Sequence, residues 1–299
     1  MTSPVGAIDG PPAKPALTSR WDSPALRRFR RHRLAVFGAV TILVLTLACI
    51  VGPFLLPFTD TFIDIRQRFA PPLSGAHVLG TDQLGRDMLA RLLMAGRISL
   101  AVGFAAMAIS MVIGVCVGLV AGYYGGAIGA VLMRFVDAML CFPSIFLLLA
   151  VSAFIHPGVE TIILLIAFTA WMEVARIVEA QIKALRERDF AVAAEALGAS
   201  DARVMIRELL PNAIAPIVVA ATLNVAHAIL AESYISFLGY GIQPPTPSWG
   251  NMLDNAQGYL TSAPWLAMLP GAMITLAVTS FNFIGDGLRD ALDPRTDAR

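Results

Sequence analysis

Residues 98–133 read ISLAVGFAAMAISMVIGVCVGLVAGYYGGAIGAVLM, a run of 36 residues without one Asp, Glu, Lys or Arg. About 20 apolar residues cross a bilayer's hydrocarbon core as an α-helix, the form in which a segment satisfies its own backbone hydrogen bonds there. Working outward, further charge-free runs lie at 34–59, 138–159, 209–231 and 255–285. The run 233–253 is equally free of charge, but Gly239, Gly241, Pro244, Pro245 and Pro247 make it a loop. The stretch 161–172 is apolar for only 12 residues before Glu173; it reads as a span extending to about 182. The expected spans are 34–57, 98–122, 131–155, 161–182, 212–238 and 265–288, which makes the chain an all-α, polytopic membrane protein with six transmembrane helices.

Composition agrees. Of 299 residues, 57% are apolar or aromatic and 14% charged, where soluble domains carry about 25%. With 22 basic and 21 acidic residues there is no charge excess to attract nucleic acid. The first 20 residues, rich in Pro, Ala and Ser, read as disordered. Arg27, Arg28, Arg30, Arg31 and Arg33 directly precede the first apolar run, which is longer than a signal-peptide core and lacks a small-x-small cleavage site. The positive-inside rule then expects a cytoplasmic N-terminus, and six crossings return the C-terminus to the cytoplasm. The 183–211 segment, with Lys183, Arg186, Arg188, Arg203 and Arg207, agrees; the basic 58–97 segment, with Arg66, Arg68, Arg86, Arg91 and Arg97, is assigned outside against the rule. The expected organisation is an N-terminal arm 1–33, a first helix with external loop 34–97, a core of five helices 98–290 containing a coupling loop 187–211, and a tail 291–299.

Much chemistry is excluded. The two lysines, Lys14 and Lys183, lie in no phosphate-cradling G-x-x-x-x-G-K-S/T loop, so the chain carries no nucleotide site of its own. His32, His77, His156 and His227 have no metal-ligand spacing, and no catalytic or cofactor site is expected. Cys49, Cys116 and Cys141 fall in apolar runs and imply no disulfides. Ser110, Ser236 and Ser280 carry no nucleophile-elbow signature, which removes the membrane hydrolases.

Several patterns invite a function beside a structural reading. Gly114, Gly118 and Gly122 put bare positions on one helix face, for tight helix packing or for lining a path. Pro143 should kink the third span. Glu173, Arg176 and Glu179 are neighbours along the fourth span, either a salt-bridged stripe or part of a pathway. Glu232, in an apolar stretch near the outer end of the fifth span, needs a partner, water or a proton; structural pairing and gating stay open. From Ala193-Ala194 the chain runs through Gly198, a natural helix stop, to Ser200 or Asp201, either of which suits a helix start, and on to Leu210-Pro211 at the next. This is a helix-turn-helix elbow whose small residues suit a partner's groove; a plain interfacial loop is the alternative.

These residues resemble the permease subunits of bacterial ABC importers, specifically the second, "C" permease type of the dipeptide/oligopeptide/nickel group. The family's cytoplasmic motif, E-A-A-x3-G-x9-I-x-L-P, is matched by Ala193, Ala194, Gly198, Leu210 and Pro211, with Val192 in place of its Glu and Glu208 in place of its Ile. Leu79-Gly80-Thr81-Asp82-Gln83-Leu84-Gly85-Arg86-Asp87, Phe142-Pro143, Ser236-Phe237-Leu238-Gly239-Tyr240-Gly241-Ile242-Gln243 and Pro247-Ser248-Trp249-Gly250 add to the likeness, which spans residues 27–295. The resemblance implies a bacterial inner-membrane protein importing di- or oligopeptides, with a homologous second permease, two ATPase subunits holding ATP and Mg, and an extracytoplasmic binding protein as partners. Ala193, Ala194, Gly198, Ser200, Asp201, Leu210 and Pro211 would couple to an ATPase. Glu232, Gln243 and Trp249 would serve as gate or external contact, and Trp249 and Trp265 as contacts or interface anchors. Nickel, glutathione or another small solute is the same-family alternative, and an ion-driven carrier or a non-transporting scaffold the remote ones.

Overall fold

The computed structural model describes residues 24–155 and 158–292. The arm expected to be disordered, His156 and the tail from Asp293 lie outside the described residues. Helix α1 (Pro24–Arg31) leads into α2 (Arg33–Leu55), whose first turn is capped by His32 Nδ1 accepting from Ala35 N at 3.1 Å. The long α3 (Met88–Tyr124) is followed by α4 (Gly126–Leu140), α5 (Ser144–Ser152) and α6 (Val159–Arg186). The elbow comprises α7 (Asp189–Ala196), α8 (Asp201–Arg203), a π-helical turn (Val204–Leu209) and α9 (Leu210–Asn212). Then come α10 (Ile214–Phe237), the short α11 (Trp249–Ala256) and α12 (Trp265–Leu292).

Helix α3 begins ten residues before the expected 98, so the boundary at 97 falls inside a helix. Asp87 caps it, accepting from Ala90 N at 2.8 Å, and accepts or shares a hydrogen bond with His77 Nδ1 at 2.8 Å. The arginines that had marked this stretch as loop are held by the protein. Arg91 lies buried with Nε 3.5 Å from Asp82 Oδ2, and Arg97 donates to Ile50 O at 2.6 Å beneath the Phe54 ring. Upstream, Asp82 accepts from Leu84 N, Arg86 N and Arg86 Nε at 2.7–2.9 Å. Gly85, at φ +77 with a would-be Cβ 1.7 Å from Asp64 O, admits no other residue in this turn. The basic 58–97 segment thus satisfies much of its charge within the chain.

Among the described residues, five helices are long and apolar enough to cross a membrane, and α4 with α5, bent by 77°, makes a sixth if counted together. Chain direction decides the count. Gly114, Gly118 and Gly122 of α3 meet Val174, Val178 and Ile182 of α6 in that order, so the two helices run parallel. The chain between them must therefore recross, and α4–α5 is that crossing. The expected kink at Pro143 is a full break: Cys141 and Phe142 turn at the end of α4, and Pro143, extended at ψ 122, precedes α5.

Against α3, α10 runs antiparallel: Ser99 meets Glu232 and Ser110 meets Asn224. Helix α12 returns antiparallel to α2, with a Cβ on Gly38 2.6 Å from Ser280 O and one on Gly287 2.2 Å from Ala35 Cβ. Arg28 Nη1 donates to Ala291 O at 3.4 Å and His32 Nε2 lies 3.5 Å from Asp290 Oδ2. The start of α2 and the end of α12 therefore share one side, where the elbow also lies, as six crossings require.

The α3–α6 seam leaves no room for a side chain: Cβ atoms at Gly114, Gly118 and Gly122 would stand 2.5–2.8 Å from the nearest α6 atoms. Gly118→Leu should cost about 1–3 kcal/mol or more by overpacking, read as a lower melting temperature of the purified protein in detergent. Gly258→Ala, with no atom within 4 Å of the added methyl, should leave it unchanged.

Candidate functional site

Beyond α6 the chain forms the elbow. At the end of α7, Gly198 takes φ +79, a left-handed conformation natural to glycine. Its N–H donates to Glu195 O at 2.9 Å and the N–H of Ala199 to Ala194 O at 3.1 Å, the paired bonds of a Schellman stop. Ser200 has the extended backbone of a helix cap, yet its side chain makes no capping bond. Asp201 instead accepts a hydrogen bond from Tyr123 OH at 3.0 Å, tying the elbow to the end of α3. Pro211 stands in the first turn of α9, where the sequence expects a proline to open the next helix, and Pro216 stands in the first turn of α10. The π-helical turn just before Pro211 widens the helix where the proline ring would otherwise meet the carbonyl of Arg207.

The elbow has two faces. Ala191, Val204, Leu209 and Ala213 are fully buried against Leu119 of α3 and Val178 and Ile182 of α6. Arg186, at the end of α6, donates to the Tyr123 carbonyl, lies over the Tyr123 ring at 5.1 Å and pairs with Glu195 at 3.8 Å. On the outer face Phe190, Val192, Leu197 and Ile206 are exposed, Leu197 at 89%. Beside them a concavity of about 370 Å³ is lined by Phe190, Ala193, Ala194, Leu197, Gly198 and Ala199, with Arg203 and Glu208 at its charged side. Large apolar side chains exposed together on a turn beyond the spanning helices, around such a hollow, have the character of a surface that meets a partner.

At the opposite end of the bundle, Glu232 is completely buried in α10. One carboxylate oxygen accepts from Ser99 Oγ of α3 at 2.9 Å, the other from Ser236 Oγ at 2.8 Å. Ser99 Oγ accepts in turn from Trp249 N at 3.2 Å, Ser236 Oγ from Ile242 N at 3.1 Å, and Leu92 O from Trp249 Nε1 at 3.1 Å. Asn251 donates to Ile242 O and Thr246 O and completes the capping box that starts α11. The loop after α10 thus folds back into the protein around Trp249, which has no exposed surface. The expectation of Trp249 as an external contact or interface anchor is corrected: its indole is used to fill the gap over Gly96, where a Cβ would stand 2.9 Å from the ring. Of the three residues grouped as gate or external contact, Gln243 alone is exposed, its amide donating to Gly239 O and Gly241 O at 2.9 and 3.1 Å. The pairing reading of Glu232 is the one the geometry displays.

The polar residues of α6 do not pair along their own helix as a Glu173–Arg176–Glu179 stripe. Arg176 meets Asp137 of α4, Glu179 meets Lys183 one turn on, and Glu173 lies 4.0 Å from His227 of α10. The elbow residues on the one hand, and Glu232, Gln243 and Trp249 on the other, therefore form two groups at opposite ends of α3. Tyr123 was not singled out, since its partner Asp201 lies 78 residues away and no local pattern marks it; Asn251, whose partners Ser248, Thr246 and Ile242 lie within nine residues, could have been found as the second member of the Ser248-x-x-Asn251 capping box.

With this geometry in view, residues 114–298 match the family described as binding-protein-dependent transport system inner membrane component, and residues 19–72 match the N-terminal transmembrane domain of oligopeptide transport permease C. The dipeptide transport system permease protein of Alkalihalophilus pseudofirmus is 38% identical over 297 residues, covering 95% of this chain and 97% of that one. A chain of Brucella suis biovar 1, provisionally named a peptide permease, is 39% identical over 299 residues, covering 99% and 95%. A provisionally named peptide transport system permease of Brucella abortus is 39% identical over 269 residues, covering 90% of each.

One hydroxyl joins three elements at this end of the bundle. Ser99→Ala should strand a buried Glu232 oxygen and the Trp249 amide, costing about 1–3 kcal/mol, seen as a lower melting temperature and as faster hydrogen exchange confined to the start of α11. Ser262→Ala, on an exposed turn, should change neither.

Proposed function

The chain belongs to the family of binding-protein-dependent transport system inner membrane components, and we propose that it is the permease subunit of an ATP-driven importer carrying di- or oligopeptides across a bacterial inner membrane. The observation that carries this reading is the elbow: an apolar, small-residue contact surface beyond the spanning helices, locked by Tyr123–Asp201 and Arg186 to α3 and α6. The names of the relatives, which are peptide and dipeptide permeases, supply the substrate class. The basic residues from Arg27 to Arg33 lead into α2 on the side where the elbow lies, and the positive-inside rule makes that side cytoplasmic.

In this reading the chain pairs with a homologous second permease and two ATPase subunits that hold ATP and Mg, and a binding protein delivers peptide from outside. An ATPase seated against Leu197 and the hollow beside it pushes on α7. Since Ala191, Val204 and Leu209 are buried against α3 and α6, the push is delivered to those helices as a rigid unit. Nucleotide state thereby biases which side the path opens to, without this chain performing a covalent step.

Uptake of a labelled peptide panel by the reconstituted complex, with nickel and glutathione as comparators, tests the substrate. Peptide accumulation that requires hydrolysis supports the proposal; nickel or glutathione uptake in its place overturns the peptide assignment, and uptake without ATP overturns the mechanism. Gly198→Pro forces φ to about −65° where the turn has +79 and removes the bond to Glu195. It should lower peptide-stimulated ATP hydrolysis at least tenfold while the protein still inserts, and unchanged stimulation would remove the elbow from the coupling.

A further inference from the structure

Two ionisable side chains stand where a bilayer tolerates them least. Glu173 lies near the middle of α6 and His227 near the middle of α10, with Oε2 and Nδ1 4.0 Å apart and the side chains 63% and 65% exposed in this chain. A charge turned to lipid at that depth costs about 3 kcal/mol on insertion scales, so this face is covered by water or protein. A second observation concerns the same part of the bundle. The break between α4 and α5 exposes Cys141, Phe142 and Pro143, and non-helical backbone within a membrane is tolerated where it lines a water-filled cavity or is buried in protein.

The Glu173–His227 pair lines a groove that ends beside the break. It is half-open, of about 230 Å³, and sits among α5, α6 and α10. Ser144, the first residue of α5, lies at its edge beside the break, while Thr169, Asn224 and Tyr234 add hydroxyls and an amide to the Glu173–His227 pair. Its walls include Leu148 and Ile166. Carboxylate, imidazole, amide and hydroxyl on an apolar wall match a zwitterionic peptide: an ammonium group for the carboxylate, a carboxylate for the imidazole, and backbone amides for the remainder. A lipid tail matches none of these.

We propose that this groove is a passage site for the peptide in transit, in which Glu173 draws the amino-terminal ammonium and His227 the carboxylate. The inference rests on the peptide-import reading and adds to it the place in this chain where substrate is touched. The volume admits about one or two residues at a time, and the pair is partly solvated, so the hold is weak enough to release, as conduction through a path requires.

The test uses the full complex in proteoliposomes, with Cys49, Cys116 and Cys141 replaced by serine or alanine and His227→Cys introduced. Modification follows assembly, so folding is not at stake. A water-soluble, positively charged methanethiosulfonate should label this cysteine during ATP turnover at least tenfold faster than Val44→Cys, on the exposed apolar face of α2. Saturating peptide with its binding protein should slow the labelling, and the labelled complex should lose most peptide uptake while staying assembled. In parallel, Glu173→Gln should reduce uptake of a free dipeptide at least fivefold. Labelling no faster than at Val44→Cys, disulfide capture by the second permease in every nucleotide state, or full uptake after labelling would each overturn the passage site. Peptide uptake by the unmodified complex stands as a separate control: its absence removes the import reading and this inference together, whereas its presence with a transport-competent labelled complex removes this inference alone.

Discussion

Gly114, Gly118 and Gly122 allow α3 to lie against α6 at backbone distance, and the rest of the bundle is arranged around that seam. Close approach maximises dispersion between two helices in an environment where lipid tails offer no hydrophobic drive for helices to associate. Because the seam is parallel, it forces the chain to recross between its two members. That crossing is made by the broken pair α4–α5, so one packing constraint sets both the count of spans and the site of the exposed break.

The seam also has mechanical consequences. At one end Tyr123 and Arg186, the last side chains of the paired helices to matter, hold the elbow through Asp201 and Glu195. Exposed ion pairs of this kind contribute little to stability, of the order of a few tenths of a kcal/mol, whereas the buried Ala191, Val204 and Leu209 fix the elbow's position. At the other end Ser99 carries the junction of α3, α10 and α11. Helix α3 thus runs unbroken from the elbow to the junction with α10 and α11.

Polar groups within the spans have been given three distinct treatments. Glu232 is sealed off and fully hydrogen-bonded, which makes it a fastener. Arg91 and Asp82 neutralise each other at the mouth of α3. Glu173 and His227 are left exposed in this chain beside an open groove.

The sequence by itself determined the membrane class, five of the spans to within a few residues at most ends, and the elbow's stop at Gly198, because these depend on hydropathy over about 20 neighbouring residues or on one residue's backbone freedom. It misplaced the start of α3 because Arg91 and Arg97 look like loop residues until Asp82, Ile50 and Phe54 supply their partners. It paired Glu173 and Arg176 along one helix because i and i+3 are the neighbours a sequence can show, while their true partners come from α10 and α4. The kink at Pro143 was legible; that it is a break, and that the broken pair still crosses, followed from the parallel course of α3 and α6. The burial of Trp249 and the meeting of Glu173 with His227 were likewise decided by tertiary structure, since each depends on bringing together segments separated by tens to more than a hundred residues, a proximity that no local pattern encodes.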